Sequence, residues 1–101
     1  MAIPVVTSPE ADEEIRRIDG WWREHRPAAP HLFMNELAEA IALIAETPEI
    51  GHCYPRPGIP ALRRLLLRAT RYHVYYVFDG SMAAVLSVWS AVRGRGSRLP
   101  R

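Results

Sequence analysis

Asp79-Gly80 lies between two apolar, β-rich runs, Tyr72–Phe78 and Ala83–Trp89. The pair tolerates the positive φ that a tight turn requires, so it predicts a β-hairpin. A third such run, Leu62–Arg68, precedes the pair of strands across a short Ala-Thr-Arg connection. Three runs and two turns predict a three-stranded antiparallel meander. Everything upstream must then supply what covers one of its faces.

Alternation sorts the side chains of the meander. Arg64, Leu66 and Arg68 share one side of the first run, opposite Arg63, Leu65 and Leu67. In the next run Tyr72, Val74, Tyr76 and Phe78 oppose His73, Tyr75 and Val77. The expected core face is therefore Leu65, Leu67, Tyr72, Val74, Tyr76 and Phe78. The open face carries Arg64, Arg68, His73 and Tyr75. The last run is apolar on both sides, so periodicity does not orient it.

Upstream, Ile3–Val6 reads as a short first strand. Thr7 followed three residues later by Glu10 fits a capping box, with Pro9 tolerated in the first helical turn. Ala11, Ile15, Ile18 and Trp22 then recur on one helical face, and Pro27 ends the helix near His25-Arg26. A second helix is expected from His31 to about Thr47, with Phe33, Leu37, Ile41 and Ile44 as its stripe. Two helices with one apolar stripe each make an αα-hairpin suited to one sheet face. Residues 48–60 (PEIGHCYPRPGIP) show no periodicity and read as a stiff crossover from helices to sheet edge. The fold class is thus α+β, in a single domain over residues 1–101, with residues 94–101 a frayed Arg/Gly-rich tail.

A chain of 101 residues supports one core. Its apolar runs are far shorter than the ~20 residues needed to span a bilayer. The start, MAIPVVTSPEADEE, lacks the basic and apolar regions of a signal peptide, so the expected location is the cytoplasm. The one cysteine, Cys53, cannot form an internal disulfide. All thirteen basic side chains are arginine. Residues 1–51 carry four Arg against ten Asp or Glu, whereas residues 52–101 carry nine Arg against Asp79 alone. Either a basic surface meets an anionic partner, or an acidic helical half balances a basic sheet half.

His25, His31, His52, His73 and Cys53 lack metal-ligand spacing, and no nucleophile elbow, phosphate loop or dinucleotide fingerprint is present. No cofactor and no metal are expected. Glu13-Glu14 at a helix start reads as solvated charge favourable to the macrodipole. One constellation remains: Arg64, Arg68, Arg71, His73, Tyr75 and Arg93, on or near the open face. Guanidinium forks suit phosphate, and His or Tyr among them can move a proton in RNA cleavage or stack a base. The same arginines can equally pair with the acids of a protein partner.

The order of strand, helix hairpin, Pro/Gly loop, meander and arginine tail resembles the RelE/ParE toxins of bacterial type II toxin–antitoxin modules. The resemblance rests on Trp21-Trp22, Arg26-Pro27-Ala28-Ala29, Glu46-Thr47-Pro48-Glu49-Ile50-Gly51, Arg63-Arg64-Leu65-Leu66-Leu67, Arg71-Tyr72-His73-Val74-Tyr75-Tyr76, Val85-Leu86-Ser87-Val88-Trp89 and Arg93. It implies a growth-arresting protein neutralised by an antitoxin, which alone contacts operator DNA. RelE-like members cut mRNA in the ribosome with a basic cluster; ParE-like members poison DNA gyrase. Arg64 matches a basic position of the cutters. Leu66 stands where they carry another basic residue, His73 where they carry arginine, and no tyrosine follows Arg93. The resemblance therefore implies a ParE-like gyrase inhibitor. Its alternatives are a ribosome-dependent mRNA endoribonuclease using Arg64, His73 and Arg93, or an antitoxin-binding module without toxicity. Arg63, Arg64, Arg68, Arg71, Tyr75 and Arg93 are the expected partner-binding residues, and no membrane is involved.

Overall fold

The computed structural model describes residues 2–92. Its elements are β1 (Val5–Thr7), α1 (Pro9–His25), α2 (Leu32–Glu46), β2 (His52–Cys53), β3 (Arg63–Leu67), β4 (Tyr72–Phe78) and β5 (Ala83–Ser90). They form one five-stranded sheet in the order β1-β5-β4-β3-β2. β1 runs parallel to β5, and the other neighbours are antiparallel. Both helices cover the same sheet face.

The core is where the helical stripes meet the inward residues of the sheet. Ala11, Phe33, Leu37, Ala40 and Ile44 pack with Leu67, Val74, Tyr76, Ala83, Val85 and Val88. Burying each of the larger side chains stabilises the fold by about 1.5–3 kcal/mol. Leu65 and Tyr72 pack at the margin of this cluster, as do Ile15, Ile18 and Trp22 of α1. Phe78, expected inside, is only half-buried, at the last position before the hairpin turn.

The Asp79-Gly80 turn forms as its chemistry dictates. Gly80 has φ +98°. The Asp79 carboxylate accepts from Ser81 N, Ser81 Oγ and Met82 N, all within 3.0 Å. The N-terminal cap of α1 lies one residue later than the capping-box pattern indicates. Ser8 is the cap and accepts from Ala11 N at 3.0 Å, while Thr7 donates its hydroxyl to Asp12. Ser8 is preferred because its backbone also pairs with β5, donating to Val85 O at 2.9 Å.

Three further features depart from the sequence reading. The 48–60 crossover is not structureless: His52 and Cys53 pair with Arg64 and Arg63, and Arg56 bridges Ile59. Two-residue pairings carry no readable period, so the pattern could not reveal them. β5 contains a bulge, since Tyr75 faces Ser87 while Tyr76 faces Val85, leaving Leu86 unmatched. Glu14, expected in solvent, is 3% exposed beneath that bulge. It accepts from Ser87 Oγ at 2.9 Å and from Val88 N at 3.1 Å. The bulge disrupts the local ladder, and a carboxylate from α1 serves the backbone there.

The crossover itself is pinned from below. Tyr76 is fully buried, its hydroxyl accepting from Gly51 N and donating to Pro48 O, both at 2.8 Å. Arg63 donates to Gly51 O at 2.7 Å and Glu49 O at 3.0 Å. A β-carbon on Gly51 would lie 2.7 Å from the Tyr76 ring, which is why glycine stands there.

Candidate functional site

The sheet face away from the helices carries the site. Alternation along β3 and β4 projects Arg64, His73 and Tyr75 onto this side, with Arg64 opposite Tyr75 and Leu66 opposite His73. β2 places His52 beside Arg64. The chain then continues to Tyr54, whose N–H donates to Leu62 O at 2.8 Å. The Tyr54 ring lies 5.8 Å from that of Tyr75, tilted by 53°.

Two guanidiniums gather on Tyr54. The Arg56 carbon lies 3.4 Å from the ring centroid, and the Arg64 carbon lies 4.0 Å from it. A pocket of about 290 Å³ opens beside them, lined by His52, Cys53, Tyr54, Arg64, Arg68 and His73. Among the described residues the ion pairs are Arg16–Glu13 and Arg23–Asp19, both on α1. None involves an arginine of this face.

The electrostatics follow from that crowding. Burial lowers the pKa of His73 below its usual value, and the charges of Arg64 and Arg71 lower it further. Burial raises the Tyr75 hydroxyl above the usual phenol value, partly offset by the adjacent Arg64. At neutral pH the site thus presents an uncharged imidazole and a protonated phenol among arginines. It can hold an anion. In His73 it offers an imidazole that can accept a proton.

The expected residues are only partly brought together. Arg64, Arg68 and His73 line one pocket. Tyr75 belongs to the cluster but is 4% exposed, because the β2–Tyr54 segment folds over it. It supports Tyr54 from beneath and presents no surface of its own to a partner. Arg63 points to the other side and clamps the crossover. Arg71 sits in the β3–β4 turn with φ +66°, exposed at the edge of the face. Arg93, and the tail expected at 94–101, lie outside the described residues. Tyr54, Arg56 and His52 belong to the site and were not singled out from the sequence. The available signal was an aromatic and an arginine alternating with prolines in Tyr54-Pro55-Arg56-Pro57.

Two other surfaces have the character of contact sites. Beside the β3 edge, a groove of about 470 Å³ is lined by Glu39, Leu43, Ile50 and Leu66. Leu43 and Ile50 are 43% and 38% exposed. At the end of α1, His25 stacks on Trp21 at 4.6 Å, and the Arg26 guanidinium lies 4.8 Å from the same ring. Among the described residues, no group of three His, Cys, Asp or Glu could hold a metal ion, and no helix is long and apolar enough to cross a membrane.

Residues 5–93 match the family described as the ParE toxin of the type II toxin–antitoxin system parDE. Among solved structures, the chain is similar to one from the chromosomal ParDE system of P. aeruginosa. The TM-score is 0.69 and the identity 14%, covering 88% of this chain and 96% of the other. It is also similar to the E. coli toxin RelE in two structures. A double arginine-to-alanine mutant in the free state gives a TM-score of 0.56 at 20% identity, over 91% of this chain and 86% of that one. The isolated RelE toxin gives 0.54 at 23% identity, over 93% and 89%. These likenesses place the fold. Among curated proteins there is no significant match.

Proposed function

Because the chain belongs to the family of ParE toxins of type II toxin–antitoxin systems, we propose that it arrests growth by binding DNA gyrase and is neutralised by a cognate antitoxin. It acts in the cytoplasm as a single toxin domain and reaches operator DNA only through the antitoxin. The observation that carries this reading is the chemistry of the open face. Its basic side chains are suited to holding an anionic partner, while His73 is uncharged at neutral pH and Tyr75 is covered. A basic face whose His73 is uncharged and whose Tyr75 is covered fits a toxin acting by contact.

The antitoxin segment crosses the α2 side, where Leu43 and Ile50 are exposed, and places acidic residues against Arg64 and Arg68. Expression of the full chain should stop growth, and co-expression of the small open reading frame beside its gene should restore it. Loss of supercoiling activity in purified gyrase tests the target; normal supercoiling at saturating toxin contradicts it.

A second reading has a specific observation in its favour. Arg64 and His73 line one pocket, and an uncharged His73 can accept a proton from a 2′-hydroxyl. Primer extension on translated mRNA then shows cuts in the ribosomal A site that vanish in Arg64→Ala. Uncut mRNA in that assay removes the endoribonuclease reading.

A further inference from the structure

We propose that the open edge of β3 at Leu66 is a docking site for an extended segment of a partner protein, which joins the sheet as a further strand and sets an acid opposite Arg68. This docking mode rests on the proposed antitoxin crossing the α2 side, and it fixes the conformation in which that segment binds.

Backbone direction along β3 follows from its neighbours. Leu62 O accepts from Tyr54 N at 2.8 Å, and Arg64 pairs with His52. In an antiparallel ladder, alternate residues turn both N–H and C=O to the same edge. Leu62, Arg64 and Leu66 therefore face the β2 side, while Leu67 O turns the other way and accepts from Arg71 N at 2.8 Å. β2 begins only at His52, because Gly51 is tied to Tyr76 and Arg63 on the helical side of the sheet. Among the described residues, no hydrogen bond reaches Leu66 N–H or C=O from that edge. The opposite margin of the sheet is served by side chains. Beyond the end of β1, Ser8 Oγ donates to Leu86 O at 3.3 Å and Glu14 accepts from Val88 N at 3.1 Å. An unserved edge is a template for another strand.

The groove beside this edge sets what the strand must carry. It holds about 470 Å³ and is walled by Leu43 of α2 and by Ile50, both exposed. A segment that keeps the antiparallel sense of β2 has one residue opposite Leu66. The residues on either side of that one point to the helical side, onto Leu43 and Ile50, and are apolar. The residue two positions before it stands opposite Arg68, which is exposed and has no ion pair among the described residues. An acid there makes a favourable cross-strand pair. The segment thus reads acid, apolar, any residue, apolar.

A second copy of this chain fits the edge poorly. Pairing two β3 strands about Leu66 sets Arg64 of each copy opposite Arg68 of the other, and like charges directly opposite are unfavourable. Arg64 also has a strand partner already, in His52. A helix laid in the groove would leave Leu66 N–H and C=O without partners, so the unpaired backbone favours the extended form.

The test compares the isotopically labelled chain alone and in complex with the antitoxin encoded beside its gene. Hydrogen exchange by NMR should find the Leu66 amide at least tenfold slower in the complex. A contact between the α-protons of Leu67 and an apolar antitoxin residue should mark the antiparallel register. Leu43→Asp should weaken the complex at least tenfold with the free chain still folded. Leu32→Asp, at the far end of α2 and also exposed, should leave affinity unchanged. A complex in which Leu66 exchanges as in the free chain, or which lacks the Leu67 contact, overturns the docking mode and leaves the proposed function standing. Failure of the two proteins to bind overturns the proposed function and this docking mode with it. A free chain that sediments as a dimer with Leu66 protected makes a second copy the occupant, and likewise overturns the proposal.

Discussion

At the scale of single residues, several polar side chains hold this fold by serving backbone groups. The Tyr76 hydroxyl joins Gly51 N–H to Pro48 C=O inside the crossover. Tyr76→Phe leaves both groups without that partner and should destabilise the protein by about 1–3 kcal/mol. Gly51→Ala places a methyl 2.7 Å from the same ring and should cost about 1–3 kcal/mol through overpacking. Chemical denaturation of the two variants checks both values. Glu36 accepts from Ala69 N, Thr70 N and Thr70 Oγ1, fastening α2 to the β3–β4 turn. Burial raises the pKa of Glu36, but these three hydrogen bonds outweigh it, and the net shift is downward. A depressed folded pKa gives stability that is present above the unfolded value and lost as pH falls through the folded one. Glu36→Gln should therefore destabilise the protein at pH 7, and the difference from wild type should shrink as pH is lowered below about 4. Thermal melts across pH check this; a difference that persists undiminished at low pH contradicts it.

At the scale of elements, the sheet shows what a sequence pattern can and cannot carry. β4 was legible because seven residues alternate between a tyrosine-rich inner face and an outer face with His73 and Tyr75. The Asp79-Gly80 turn was legible because the backbone geometry admits few residue types. β2 was not, because two residues have no period and their partners, Arg64 and Arg63, lie twelve and ten positions on. The depth of Glu14 was hidden for a related reason. Its burial follows from a bulge on β5, and an apolar run such as Ala83–Trp89 does not announce where the extra residue falls. Glu14→Ala should cost about 1–3 kcal/mol, because Ser87 and Val88 lose their acceptor at a buried site. Hydrogen exchange should then show faster opening of β5 than of β3. The site was half legible on the same grounds. Arg64 and His73 came from alternation, whereas Tyr54 and Arg56 reach the face from a segment with no pattern at all.

At the scale of the whole molecule, the charge asymmetry acquires a location. The arginines of the second half include a cluster over the open face, while the acidic first half builds the helical layer behind it. This division supports a basic surface over mere balance between halves, because Arg56, Arg64, Arg68 and Arg71 form no ion pair among the described residues. Charge reversal at Arg64 and Arg68 should weaken antitoxin binding at least tenfold and flatten its salt dependence. Arg71→Gly is a gentler probe. It removes one charge at a backbone position, φ +66°, that glycine adopts without strain. It should lower affinity slightly without loss of stability. Both effects are read from the dissociation constant of the complex at two salt concentrations.

The central claim is that this basic face belongs to a toxin acting by contact with gyrase. The most direct measurement titrates the purified toxin into a gyrase supercoiling reaction, with Arg64→Glu in parallel. The account predicts dose-dependent loss of supercoiling by wild type and a marked rightward shift of the curve for the variant. Undiminished supercoiling at saturating wild-type toxin contradicts it.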